Sequence, residues 1–516
     1  MMAVLREAKQ AICAEIVSRM ASKQPELLKW ERTYDSLLYP VSMPDNKNIT
    51  LDCAVVGGGI SGLTAVHALH EMVPDWKICL FEKSGRFGGI LETRTENGLL
   101  IETSADSFIT DPPAALQLCE RLGLEKDVLP TQPTGRRAEV LFQGRRTPIP
   151  DGFQIIGTGK LLPVVCSPLL SLKGKLRACC EPFIAPRTET TDESLAAFAT
   201  RRLGKEAFER LIAPLVGGIY TADAEKLSMA AALPRFVQME RTFGSLYRGL
   251  RSQAKKTRGS NSGSGARYGL FAAPRGGMGQ LLTKLAQSVP TDTLQTGAEI
   301  TNLTRTPDAQ WQLEVNGTVL WTARKIILAT PAFQAGELLE PHDTILAEQL
   351  RNIPYASCAV VCLVYDKKQF PQPPESFGFV VPAREKRQIL AASFASNKFP
   401  LRAPEDQLLV RVFMGGATQE SILEYQDAKL AEIAASELSQ IMDIRNLPHF
   451  HCVTRWPRSM PQYHVGHVER IARIDLQVAR LENLALIGNA YRGVGIPQCI
   501  DGALRAAELL CGEKKS

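Results

Sequence analysis

Three glycines and one acid carry the first chemical signal in this chain of 516 residues. Gly57, Gly59 and Gly62 stand in G-x-G-x-x-G spacing directly after the apolar run Cys53, Ala54, Val55 and Val56, and a segment of helical period follows. This pattern turns a strand into a helix start, where unpaired backbone N–H groups and the positive end of the helix dipole suit a pyrophosphate. Glycine lets the backbone come close to it. A second apolar run, Lys77 to Phe81, ends at Glu82, 20 residues past Gly62, where a carboxylate can accept hydrogen bonds from ribose hydroxyls. The same carboxylate would repel a 2′-phosphate, which disfavours NADP. The spacing predicts a bound adenine dinucleotide, NAD or FAD.

The elements that must hold such a group are spread along the chain. Ala272 to Val289 starts a helix after a glycine turn, Thr322 to Phe333 gives an apolar strand ending at Thr330-Pro331, and Leu484 to Ile487 gives another before a glycine-bearing tail. We therefore expect a discontinuous nucleotide domain from residues 51–110, 272–350 and 451–512. Residues 111–250 read mostly helical, and 351–450 read strand-rich, with ASCAVVCLVYD, SFGFVVP, QILAASFA and QLLVRVFMGG. Residues 251–271 hold a Gly/Ser-rich flexible loop, and 1–50 form an appendage of unknown role.

Hydrophobic content of 45% and charge of 22% describe a soluble globular chain long enough for two or three domains. The net charge of +6 is spread out with no base-reading motif, so nucleic acid is not an expected partner. Acidic headgroups or a carboxylate-bearing substrate would suit it better. The 12 cysteines show no CxxC pair and no zinc spacing. Cys179 and Cys180 are adjacent, and Cys358 and Cys362 could share a side of one element. Free thiols in a reducing cytoplasm are expected. No stretch reaches the about 18 apolar residues of a spanning helix. Gly152 to Phe183 is apolar but broken by Pro163 and Pro168. It reads either as core helices or as a one-sided membrane patch, with Lys160, Lys173, Lys175 and Arg177 at the headgroups.

Arg86, Gly88 and Gly89 resemble the RxGG element of the flavin-dependent amine oxidase superfamily, and the tail GNAYRGVGIPQCIDGALRAAELL resembles its second flavin-binding segment. IETSADSFI, LIAPLVGGIYTADAEKLSM, PRGGM, VFMGG and WPRSMPQYHVGH extend the likeness to the protoporphyrinogen oxidase family over about Asp52 to Leu510. The resemblance implies an α/β fold: a discontinuous Rossmann-like FAD-binding domain, an α+β substrate domain and a helical membrane-associated insertion. It implies FAD as the cofactor, held by Gly57, Gly59, Gly62, Glu82, Arg86, Gly88, Gly89, Ile300, Gly488, Gly495, Gly502 and Ala503. The helix start at Gly502 to Leu504 would point at the pyrimidine end of the flavin.

The implied reaction takes a porphyrinogen to the porphyrin in three two-electron steps, with oxygen as acceptor. Other expected contacts are the inner face of the cell membrane, a ferrochelatase-type next enzyme and a second copy of the chain. Phe413 matches an aromatic that faces the tetrapyrrole, and Val380 and Ser393 align with two positions that are leucine in plant members and clamp the ring, a pattern from which Ser393 departs. The family's propionate-binding arginine falls on Ala138. Arg137 is its nearest replacement, although a regular strand would turn its side chain the other way. His464, His467 and Tyr463 read as packing rather than as metal or base. Coproporphyrinogen III is the alternative substrate. An amine is disfavoured because Val494 replaces the cage tyrosine of amine oxidases, and a non-catalytic flavin-binding scaffold is the competing class.

Overall fold

The computed structural model describes residues 49–512 apart from 136, 190 and 257–270. The expected N-terminal appendage, save its last two residues, and most of the expected loop at 251–271 lie outside the described residues. Among the described residues, two seven-stranded sheets organise the chain.

The first sheet has the order Leu294–Thr296, Ile78–Glu82, Ile49–Val56, Val319–Leu328, Trp311–Val315, Ile300–Arg305, with Leu484–Leu486 also on Val319–Leu328. The strands Ile49–Val56, Ile78–Glu82, Leu294–Thr296 and Leu484–Leu486 run parallel to their neighbours in it. A parallel strand is covered on both faces, which explains the unbroken apolar run before Gly57. Cys53 and Val55 enter a layer with Leu63, Val66 and Ala503. Ala54 and Val56 enter the opposite layer with Trp311, Leu313 and Leu339. Pieces from separated parts of the chain thus meet in one sheet.

The second sheet has the order Phe450–Pro461, Tyr355–Asp366, Gln407–Gly415, Ala391–Phe394, Gly378–Val380, Ala138–Phe142, Arg145–Pro148. Three of its strands, Ala138–Phe142, Arg145–Pro148 and nearly all of Phe450–Pro461, come from outside the segment read as strand-rich. Ala138–Phe142 pairs in parallel with Gly378–Val380. Phe450–Pro461, read as part of the last nucleotide segment, instead runs antiparallel along Tyr355–Asp366 from Pro461 to Phe450. It is the edge strand, and only an edge tolerates the missing donors of Pro457 and Pro461. The helix Asp427–Met442 covers one face of this sheet through Leu430, Ala434, Leu438 and Ile441. The other face carries Val360, Cys362 and Val364, which pack with Leu99 and Ile101 of the strand Leu99–Glu102.

The helical block lies beside that second face. Lys205–Tyr220 is one helical run with a wide turn at Phe208–Ile212, and it ends where Thr221 turns left-handed. No helix among the described residues is long and apolar enough to cross a membrane.

Candidate active site

The glycine turn has the geometry of an anion cradle. Gly57 sits at φ +108°, and a Cβ there would lie 2.8 Å from the Ala329 carbonyl oxygen. Its N–H donates to the Phe81 carbonyl. Gly62 packs onto the same turn, its absent Cβ 1.9 Å from the Gly57 oxygen. Gly59 differs from both: nothing but the Gly89 Cα, at 4.0 Å, borders the space its Cβ would take. Gly59 is also the N-cap of the helix Ile60–Met72, with no side chain capping its first turn. Free N–H groups, a positive helix end and open space coincide there.

Glu82 and the RxGG element build the walls. The Glu82 carboxylate accepts from the Gly58 N–H at 2.7 Å and the Ser84 N–H at 2.8 Å, which leaves lone pairs on both oxygens. Gly88 bridges to Gly59, and the Gly88 N–H donates to the Gly58 carbonyl. Arg86 folds back on its own loop and donates to the carbonyls of Gly89, Phe87 and Leu91. Its guanidinium shapes the cradle and does not reach across it. Ile300 begins the strand beside this corner, buried and paired with Val315, two residues after Ala298 donates to the Glu82 carbonyl.

At the far end the helix begins earlier than expected. It runs Ile496–Cys511, capped by Gly495, with a proline in its first turn, where a missing N–H does no harm. Gly502 and Ala503 therefore lie in the helix body. Ala503 is fully buried against the Ile60–Met72 helix layer. Gly488, at φ +125°, has no atom near its absent Cβ. Tyr463 shapes the intervening loop: its hydroxyl donates to the Asn489 carbonyl at 2.5 Å and accepts from the Gly493 N–H at 2.8 Å. Tyr463 stacks on His467, ring centroids 4.0 Å apart. Burial pulls the His467 imidazole down to about 4, and its Nε2 lies 3.1 Å from the Tyr491 carbonyl. Thr330 Oγ1, Ser104 Oγ and Gln498 Oε1 are buried without partners around these loops. Orphaned polar atoms and a glycine cradle fit a polar dinucleotide.

The second sheet supplies an apolar wall. Pairing puts Val360, Phe413, Ala391, Val380 and Val140 in one row across five strands. The next row on the same face holds Cys362, Arg411, Ser393, Gly378 and Ala138. The structure thus brings Phe413, Val380 and Ser393 together. The helix Ala213–Tyr220 closes over them: a Cβ on Gly218 would lie 3.1 Å from Val380 Cγ1, whereas Gly217 borders open space.

Arg137 is not part of this wall. It precedes the strand, its side chain is about half exposed, and it pairs with the surface residue Glu375 at 3.2 Å.

A buried charge cluster beside Phe413 escaped the sequence reading. Asp106 accepts from Lys398 at 2.8 Å and lies 3.0 Å from Arg411, which also donates to the Ser104 carbonyl. The Arg411 guanidinium sits 5.2 Å from the Phe413 ring centre. Burial pushes the Asp106 carboxyl up, but Lys398 and Arg411 outweigh it and hold it well below the usual range. At neighbouring Glu102 burial outweighs the Met278 N–H, Thr93 and the Arg402 and Arg411 charges and raises the carboxyl to about 7. The signal was present: Arg411 is two residues before Phe413 and must share its side of the strand.

A nucleotide sheet with a glycine cradle, joined in one chain to a sheet with an apolar wall, suits an FAD-dependent oxidoreductase. The chain belongs to the flavin-containing amine oxidoreductase family, which it matches over residues 60–511. It is 34% identical to a coproporphyrinogen III oxidase of Bacillus subtilis, over 87% of this chain and 95% of that one. It is 31% identical to the chloroplast protoporphyrinogen oxidase 1 of Arabidopsis thaliana, over 89% and 88%. A solved candidate protoporphyrinogen oxidase from Exiguobacterium is 27% identical, with a TM-score of 0.80 over 91% of this chain and 99% of that one.

Proposed function

We propose that the chain oxidises protoporphyrinogen IX to protoporphyrin IX in three two-electron steps, with oxygen as the final acceptor and peroxide as its product. Bound FAD supplies the hydride acceptor, and the protein supplies placement and a dry environment. The carrying observation is the row Val140, Val380, Ala391, Phe413 and Val360 across five strands, with the helix Ala213–Tyr220 against it at Gly218. A flat, largely apolar macrocycle fits such a wall. Phe413 presents its ring, Val380 and Ser393 border it, and Gly218 allows the helix to approach.

The cations on that face bear on the substrate. Arg411 is already engaged by Asp106, and Ala138 offers no charge. This suits a macrocycle with two apolar vinyl groups and two carboxylates better than one with four carboxylates. Coproporphyrinogen III is the second reading, favoured by relatives of that name at 34%, 29% and 32% identity. Porphyrin fluorescence from parallel assays of both substrates tests the choice. We expect kcat/KM for protoporphyrinogen IX to be about tenfold higher or more, which is about 1.4 kcal/mol of transition-state preference. The opposite ratio selects the second reading, and no flavin bleaching by either under anaerobic mixing overturns both.

The cofactor contacts follow the same geometry: pyrophosphate at Gly57, Gly59 and Gly62, ribose at Glu82, and the pyrimidine end at the loop from Gly488 to Gly495. Attachment to the inner face of the cell membrane is part of this reading. Leu172 and Phe183 are 85% and 84% exposed, Leu162 and Leu176 stand out beside them, and Lys160 and Lys173 flank them. Each such side chain moved from water to hydrocarbon gains about 1.5–3 kcal/mol.

A further inference from the structure

We propose that Cys362 and Cys452 are a dithiol site that hydrogen peroxide converts reversibly into a disulfide joining two neighbouring strands. The two residues stand directly opposite one another on the antiparallel strands Tyr355–Asp366 and Phe450–Pro461. Opposed residues in such a pair have Cα atoms about 4.5 or 5.5 Å apart, and a disulfide spans either distance without moving the backbone. Both side chains enter the same buried cluster, with Val360 and Leu409, so the sulfurs lie on one side of the sheet.

Their surroundings set them apart from the other cysteines. The adjoining Cys452 outweighs burial and, with the Arg411 and Arg94 guanidinia, brings the Cys362 thiol below its ordinary range, while Cys452 itself is pushed up. Burial pushes the thiols of Cys119, Cys358 and Cys499 up, to about 12, 11 and 11. All but Cys358 are buried, so what distinguishes Cys362 is a lowered thiol with a second cysteine directly opposite to resolve a sulfenic acid. Cys362 also shares its row with Arg411 and Ser393 and lies on the face that carries Phe413. If oxygen is the electron acceptor, peroxide forms beside that face, and for this source the site rests on the oxidase reading above.

The chemistry balances in two steps. The Cys362 thiolate attacks one peroxide oxygen; the O–O bond breaks, a sulfenic acid forms and hydroxide leaves, to be protonated to water. The Cys452 sulfur then attacks the Cys362 sulfur and loses its proton, and the S–O bond breaks to release a second water as the S–S bond forms. Two thiols are oxidised by two electrons and one peroxide is reduced by two.

The test uses the intact holoenzyme. After added hydrogen peroxide, alkylation and non-reducing proteolysis, mass spectrometry should find the Cys362 and Cys452 peptides joined and two hydrogens lighter, and separate after dithiothreitol. In Cys452→Ser, dimedone should label Cys362 instead. If both cysteines of the wild-type chain are alkylated while exposed Cys166 is oxidised, the site is overturned. In a second arm, turnover with porphyrinogen replaces added peroxide. A joined peptide that grows with porphyrin yield supports the site and its source. Turnover without any peroxide overturns oxygen as the acceptor, and the added-peroxide arm then decides the site alone.

Discussion

Gly57 and Gly59 are two residues apart and should fail in different ways. Alanine at 57 meets both a positive φ and the Ala329 carbonyl, so Gly57→Ala should cost about 1–3 kcal/mol in chemical denaturation. Gly59→Val has room in the protein but fills the space a pyrophosphate needs. We expect it to melt near the wild-type temperature and to purify without the flavin absorbance band. At the substrate wall, Phe413→Ala should keep its flavin spectrum and lose about tenfold or more in kcat/KM, measured by porphyrin fluorescence. Residue-level legibility was uneven. Alternation along QLLVRVFMGG was enough to put Phe413 on a face, and would have put Arg411 there too. Arg137 misled because its partner, Glu375, is 238 positions away and no local pattern announces it.

The C-terminal helix shows what element boundaries need. Gly495 and Pro497 mark its start by the same rules that marked Gly59, yet the glycine at 502 drew attention to the wrong turn. The edge strand Phe450–Pro461 was harder, because its prolines read as breaks until its partner is known. Two predictions belong at this scale. His467 is held neutral by burial down to about pH 4, while the unfolded chain protonates near 6.5. Between these values the unfolded state binds the extra proton, so stability falls as pH falls, by up to about 3 kcal/mol. His467→Phe should remove that part of the slope when denaturation is compared across this range. On the helical block, replacing Leu172, Leu176 and Phe183 by serine should move the protein from the vesicle-bound to the free fraction in flotation with anionic vesicles. Unchanged binding would sink the membrane reading.

At the scale of the whole molecule, the segment that follows the strand Leu99–Glu102 is tied to the second sheet by charge as well as by apolar packing. Asp106 comes from the segment after Glu102, and its partners Lys398 and Arg411 come from the other sheet's side. Asp106→Asn leaves two buried cations without their counter-ion and should cost about 3–5 kcal/mol, read by urea denaturation. The general division into a nucleotide sheet and a second, strand-rich layer was visible in motif order. The interleaving was not, since Ala138–Phe142 and Phe450–Pro461 reach their places only through long-range pairing. One link between the layers has a further meaning. Trp456 of the edge strand donates to the Thr103 carbonyl, and two residues beyond the strand's end Tyr463 fastens both sides of the loop around Gly493. The clasp around Gly493 is thus delivered from just past the second sheet's edge strand, so a nucleotide half expressed without that strand would be born with its latch missing.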